Sequence, residues 1–300
     1  MHLTALILAY SLFSTGIQEI GLQDSQHCII LAEQSQNSIV IVDSESDNVV
    51  WKWDPASSNV KPEHIKWFNA PSDAKSVREG KYILMTASGG GVALIRVSDT
   101  ATVFYAYAGG NTHSAELLPD GNIVTASSTG NYLTLFRTDT IHFPEGILSK
   151  KVQIRFGHNV VWDKKRNVLL STAMDHIVSF RYNFMKDDPV LVRKDSVRIP
   201  GKEAHDLFPV YGRDELWLTT IDNVFRYNPE KHEFNKTELE NDSNIKSVSS
   251  GPSSFATIII RPKVSWWTDE VTDFTDKSIF SHKGYKIYKA RWFTDNSFSY

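Results

Sequence analysis

Apolar residues of this chain fall at every second position in short runs, and the runs themselves recur. Residues 81–99 (KYILMTASGGGVALIRVSD), 122–139 (NIVTASSTGNYLTLFRTD), 167–183 (NVLLSTAMDHIVSFRYN) and 214–229 (DELWLTTIDNVFRYNP) share one layout. Each follows a polar tip such as Pro119-Asp120-Gly121, runs as a strand into small or hydroxyl residues, turns, and returns as a second strand. Residues 28–55 (CIILAEQSQNSIVIVDSESDNVVWKWDP) fit the same template, and residues 254–267 (SFATIIIRPKVSWW) form a weaker copy. After the N-terminus no extended helical period occurs, so the pattern predicts an all-β protein.

The first apolar residues after the tips are Ile83, Ile123, Val168, Leu216 and Phe255, separated by 40, 45, 48 and 39 residues. That is the period of four-stranded propeller blades. A further strand follows most pairs, at 49–54, 102–109, 151–157 and 189–199, and one precedes each tip, at 72–77, 113–118, 158–163, 205–210 and 244–250. With residues 28–55 there are six units. The strand missing from the first unit comes either from residues 18–26 or from 285–293 (YKIYKARWF), and the second choice closes a ring by pairing the chain ends. The expectation is a six-bladed β-propeller of mostly four-stranded antiparallel blades, occupying residues 17–300 as a single domain. Five or seven blades, or another all-β arrangement such as a sandwich, are the alternatives. A sandwich needs no motif repeated in register, whereas each blade must pack both faces on neighbours. Residues 140–150 read as an insertion within one blade, and 56–71 and 269–284 as long connections.

This register places chemistry. His113, His158 and His205 each open the strand before a tip, 45 and 47 residues apart. In a propeller that strand is innermost, so its opening residues gather around one mouth of the central channel. Three convergent neutral imidazoles suit a divalent ion (Mn, Zn, Fe or Ca) with a position left for water or substrate. They equally suit a metal-free polar ligand, or plain hydrogen bonding between blades. Asp206 follows one histidine, Asp73 holds the corresponding place one blade before His113, and Glu116, three residues past His113, points to the opposite strand face. Lys75-Ser76-Val77 and Lys246-Ser247-Val248 repeat one tripeptide in two blades without the histidine. An inward lysine there would neutralise an anion or act as a base; an outward one would pack its stem with the ammonium in water. Trp51, Trp53, Trp67, Trp266 and Trp267 cluster in the first and last units, which ring closure brings together either for sugar stacking or for inter-blade packing. Arg291 reads as a bidentate carboxylate clamp or as a solvated arginine.

Composition narrows the partners. Thirty-two Lys and Arg against 35 Asp and Glu give a net charge of −3 without a long run of either sign, so the footprint of a nucleic-acid binder is missing. A single cysteine, Cys28, excludes an intrachain disulfide and thiolate-cluster metal sites. Residues Leu3–Phe13 (LTALILAYSLF) are too short to span a bilayer and carry no preceding Lys or Arg. Residues 1–16 are therefore either an export signal, sending the chain to the periplasm, cell envelope or exterior, or a first strand or short helix of a cytoplasmic protein.

Several long runs resemble an uncharacterised β-propeller family found largely in Bacteroidota and often carrying an export signal. They include PSDAKSV (71–77), YAYAGGNTHSAELLPDGNIVTASSTGNYLTLF (105–136), FGHNVVWDKKRNVLLSTAMDHI (156–177), HDLFPVYGRDELWLTT (205–220) and WWTDE (266–270), so the likeness spans nearly the whole chain. A more distant likeness is to oligogalacturonate lyases, propellers that hold a divalent metal on histidines at the channel mouth. His113, His158 and His205 correspond to such a triad by blade placement alone. Two functions follow as expectations. One is a monomeric binding or scaffolding protein recognising a carbohydrate or small anionic ligand at the mouth, with Asp73, Arg291 and Trp267 beside the histidines. The other is a metal-dependent lyase or hydrolase of an anionic sugar, with Lys75 or Lys246 as base or charge clamp.

Overall fold

The computed structural model describes residues 27–145 and 147–299; the apolar block Leu3–Phe13 and the rest of residues 1–26 lie outside the described residues. The described residues form six four-stranded antiparallel sheets. Blade 1 combines Cys28–Glu33, Ser38–Asp43 and Asn48–Trp53 with the C-terminal strand Ile287–Trp292, which is its innermost member. Pairing of Ile29 with Trp292 and Leu31 with Ala290 thus joins the two ends of the chain. Blades 2 to 6 follow in order, with innermost strands Pro71–Val77, Thr112–Leu117, Val160–Asp163, Asp206–Pro209 and Ser247–Ser249. Each innermost strand touches the next around a closed ring.

Period-two alternation explains why this sequence makes a ring rather than two layers. Cys28 and Ile30 enter the apolar layer shared with blade 2, while Ile29 and Leu31 enter the layer shared with blade 6. Ile83 and Met85 likewise face blade 1, and the intervening Leu84 faces blade 3. The remaining interfaces repeat the scheme, so one core layer separates every neighbouring pair of sheets. A sheet apolar on both faces has to be covered twice, and a ring covers all of them without an uncovered end.

Blade 6 departs from the sequence reading. Residues 269–284 are not a connection: they hold the two outer strands Glu270–Asp273 and Ser278–Ser281. Only Val271 and Phe280 of these strands are buried apolar residues, so alternation is too sparse to read. The second strand of that blade is Ile258–Ile260, past the anchor Phe255, and Val264–Trp267 is a tight bridged turn rather than a strand. Blade 5 likewise has an outer strand, Glu233–Lys236, that its polar sequence concealed. Residues 56–71 are a connection until Ala70, carrying two short 3-10 turns, Pro55–Ser57 and Pro62–Phe68, whose Phe68 is buried against blades 1 and 2. No helix among the described residues is long and apolar enough to cross a membrane.

Candidate functional site at the channel mouth

The innermost strands begin on one face of the disc, and the three histidines meet there. The His113 and His158 rings are stacked, with centroids 4.4 Å apart and planes 17° from parallel. His205 meets His158 edge-on at 5.4 Å. They line a cavity of about 420 Å³ together with Lys246, Tyr288, Phe156 and Trp266. Face-to-face stacking sets the ring-plane lone pairs of His113 and His158 side by side instead of aiming them at one point. Among the described residues no group of three His, Cys, Asp or Glu is arranged to hold a metal ion.

Burial decides the charge state of these groups. It pushes the His113 imidazole down to about 3, with the Lys289 charge adding to the effect. His205 falls to about 3 by burial and then by Lys246, and His158 lies well below the usual imidazole range for the same first reason. All three are neutral at physiological pH. The Nδ1 atoms of His158 and His205 are buried and have no hydrogen-bond partner among the described residues, so the site holds unmet polar capacity. The Tyr288 hydroxyl lies 3.4 Å from His113 Nδ1. Phe156 reaches the cavity from a backbone held at φ 55°, a region that bulky side chains rarely occupy, with its N–H donating to Asn131 Oδ1.

Lys246 supplies the cation. Its Nζ lies 3.2 Å from His205 Nε2, it is only 7% exposed, and no carboxylate lies within ion-pair distance of it among the described residues. Burial, followed by repulsion from Lys289, pulls its pKa down to about 8, with the more distant Glu203 charge opposing them weakly. Lys75 takes a different place despite its matching tripeptide. It sits deep in the strand Pro71–Val77, opposite Leu84, whereas Lys246 stands just before Ser247–Ser249. Its Nζ is 2.8 Å from Glu116 Oε2 in a buried pair, and it does not line the cavity.

Below the histidines the channel is filled with paired charges. Arg291 grips Asp206 through two hydrogen bonds of 2.7 and 2.6 Å and reaches Asp73 Oδ1 at 3.3 Å. The arginine is thus neither solvated nor free for a ligand: the carboxylates it clamps are the protein's own. Lys289, two residues earlier in the closing strand, spans to Asp206 Oδ1 at 3.1 Å and Asn159 Oδ1 at 3.2 Å. All four ionic groups are at most 3% exposed. Burial alone would raise the Asp73 pKa, but Arg291, Lys289 and Lys75 together hold it at about 2. Asp206 is lowered against its own burial in the same way. Asp73 and Asp206 therefore serve as counter-ions of the closing strand, below the mouth. Sequence reasoning passed over Lys289 and Tyr288. The signal was present in the alternation of YKAR, which sets Lys289 and Arg291 on one face of an innermost strand.

The tryptophans separate. Trp51 and Trp53 are buried between blades 1 and 2, donating to Val97 O and Thr102 Oγ1. Trp67 stacks on His64 at 3.7 Å. Trp267 is half-buried with the Lys286 ammonium 5.3 Å above its ring. Of the five only Trp266, 54% exposed and hydrogen-bonded to Gln34, stands on the rim of the cavity.

Comparison with known families gives one match, described as a family of unknown function (DUF6528), over residues 15–300. The chain belongs to DUF6528. This DUF6528 chain is also similar to a protein of unknown function from Bacteroides caccae, at 14% identity and TM-score 0.58, over 90% of this chain and all of the other. A second likeness is to the β-propeller domain of Cps50 (Swd1) from Myceliophteria thermophila, at 12% identity and TM-score 0.55, covering 85% and 84% of the two chains. A third is to Kuenenia stuttgartiensis hydrazine synthase, at 13% identity and TM-score 0.51, covering 78% and 70%. At these identities the three share the propeller fold and nothing finer. No curated protein matches the DUF6528 sequence.

Proposed function

We propose that this protein is a binding propeller whose mouth cavity takes the carboxylate of an acidic sugar. The observation that carries the reading is Lys246, a buried ammonium that opens on a cavity and has no ion-pair partner among the described residues. A buried charge without a counter-ion is costly, and an anion in the cavity supplies the missing partner. Neutral imidazoles and the Tyr288 hydroxyl offer hydrogen bonds to sugar hydroxyls, and Trp266 offers a ring face at the rim. The apolar block Leu3–Phe13 supports export to the cell envelope, where acidic polysaccharides are met. Calorimetric titration with galacturonate, glucuronate and mannuronate, against the matching neutral sugars, tests the reading. Binding of at least one acid, lost in Lys246→Met, is expected. Equal binding of acid and neutral sugars, or an unaffected variant, overturns it.

A second reading is an enzyme that cleaves an anionic polysaccharide. Lys246 favours it, because an amine with a pKa of about 8, beside His205 Nε2, is suited to removing a proton near neutrality. In this version the lysine takes the proton next to the bound carboxylate and the Tyr288 hydroxyl, 3.4 Å from His113 Nδ1 and lining the same cavity, returns one to the leaving oxygen. Ultraviolet absorbance of an unsaturated product, followed with and without added Mn²⁺ or Zn²⁺, separates a lysine-based elimination from a metal-dependent one and both from binding alone.

A further inference from the structure

We infer that Lys246 captures a small 2-oxo acid covalently, as an imine between its Nζ and the carbonyl carbon of the ligand. The inference shares the cavity and the lysine of the binding reading above, but not its sugar. Lys75, Lys246 and Lys289 are the buried lysines among the described residues, and their neighbours differ. Lys75 Nζ meets Glu116 at 2.8 Å and Lys289 Nζ meets Asp206 at 3.1 Å, so a carboxylate holds each as an ammonium. Lys246 has no carboxylate within that reach among the described residues; its Nζ faces a ring nitrogen, His205 Nε2, at 3.2 Å, and opens on a cavity of about 420 Å³. An amine attacks a carbonyl only with its lone pair free, and burial or a neighbouring cation is what frees it. Lys246 has both: burial, then repulsion from Lys289, bring its pKa to about 8, so about half of it is free amine at that pH.

The neighbours carry the proton transfers. The amine lone pair forms the C–N bond while the carbonyl π pair moves onto oxygen. His205 Nε2 takes one proton from the nitrogen and passes it to that oxygen. The hydroxyl then leaves as water on receiving a proton from the Tyr288 hydroxyl, which lines the same cavity and regains a proton from solvent. The remaining nitrogen lone pair closes the C=N bond. Nothing is oxidised or reduced: one water is released, and the imine nitrogen keeps one hydrogen and a positive charge. That charge decides the ligand class. A simple ketone leaves the buried cation without a counter-ion, as it is in the free protein. A 2-oxo acid carries its carboxylate on the atom next to the imine carbon, so one molecule supplies both the bond and the counter-ion.

The test incubates the protein with pyruvate, or with acetone as the uncharged ketone, in the presence of cyanoborohydride, which reduces an imine to a stable amine. Intact mass and peptide mapping then locate the adduct. One pyruvate adduct per chain, on Lys246, is expected, with far less from acetone and none at that position in Lys246→Arg or Lys246→Met. His205→Gln should slow trapping by about a hundredfold, the low end of what a placed proton carrier contributes. The trapping rate should rise with pH and level off above about 8. No adduct, adducts spread over the exposed lysines, or equal labelling by acetone overturns the inference, and so does a rate still climbing toward pH 10.5, the ordinary lysine value. Uronate binding without pyruvate trapping removes the imine and keeps the binding reading. Trapping at Lys246 without uronate binding keeps the imine and removes that reading.

Discussion

Replacing Lys246 by Met offers the sharpest test, because the physics predicts a more stable protein with less function. Burial and Lys289 lower the Lys246 pKa from 10.5 to about 8. At 1.36 kcal/mol per unit, keeping the ammonium charged in the fold costs about 3 kcal/mol at pH 7. The sign follows from proton counting. Between pH 8 and 10.5 the unfolded lysine binds more proton than the folded one, so wild-type stability rises with pH across that window. Below pH 8 both states are charged and the penalty is present in full. Methionine fills a similar volume without charge, giving up the contact with His205, itself worth about 1 kcal/mol. The variant is expected to exceed the wild type by about 1–2 kcal/mol at pH 7, an advantage shrinking by about 2–3 kcal/mol toward pH 10. Urea unfolding at several pH values measures both terms, and the difference between the two proteins cancels other groups that titrate in the same range. A variant less stable at pH 7, or a difference independent of pH, would refute the account of Lys246 as an uncompensated buried cation. A saturating acidic sugar should reverse the trend, stabilising the wild type alone.

Three further outcomes follow from the geometry. Asp206→Asn removes the carboxylate that Arg291 and Lys289 share, and should cost about 3–5 kcal/mol in urea unfolding because two buried cations lose their main partner. The lowered pKa values of His113, His158 and His205 mean that the unfolded chain binds more protons below pH 6.5, so stability should fall as pH drops through that value; proton NMR should show these three rings still neutral at pH 5. Ending the chain after Gly284 deletes the innermost strand of blade 1 together with Lys289 and Arg291, and the product should show no cooperative unfolding transition, whereas a closed ring without that strand would contradict the closure assigned here.

Much of the architecture is written locally. Unbroken apolar runs in segments such as CIILAE and YILMTA mark strands covered on both faces, and the polar tips set the repeat, so blade number and innermost strands can be read along the chain. The same repeat places His113, His158 and His205 at one mouth, because position within the repeat fixes position in the ring. What resists this reading is polar or short. The outer strands Glu270–Asp273 and Ser278–Ser281 owe their existence to hydrogen bonding, the first with Ile258–Ile260 and the second with the first, partners that no local pattern announces. The twin tripeptides at Lys75 and Lys246 look equivalent, yet one ammonium meets Glu116 and the other meets a cavity, since a few residues of strand offset change depth along the channel.

The chain alone determined the ring, because two-faced apolar strands recurring at blade spacing have few other ways to hide both faces from water. Only the assembled structure decided the chemistry inside it. Whether three imidazoles converge edge-on or stack, whether Arg291 meets solvent or Asp206, and which lysine has no carboxylate beside it among the described residues depend on side chains from different blades approaching within about 4 Å, a scale at which charge and burial act and sequence spacing carries no information.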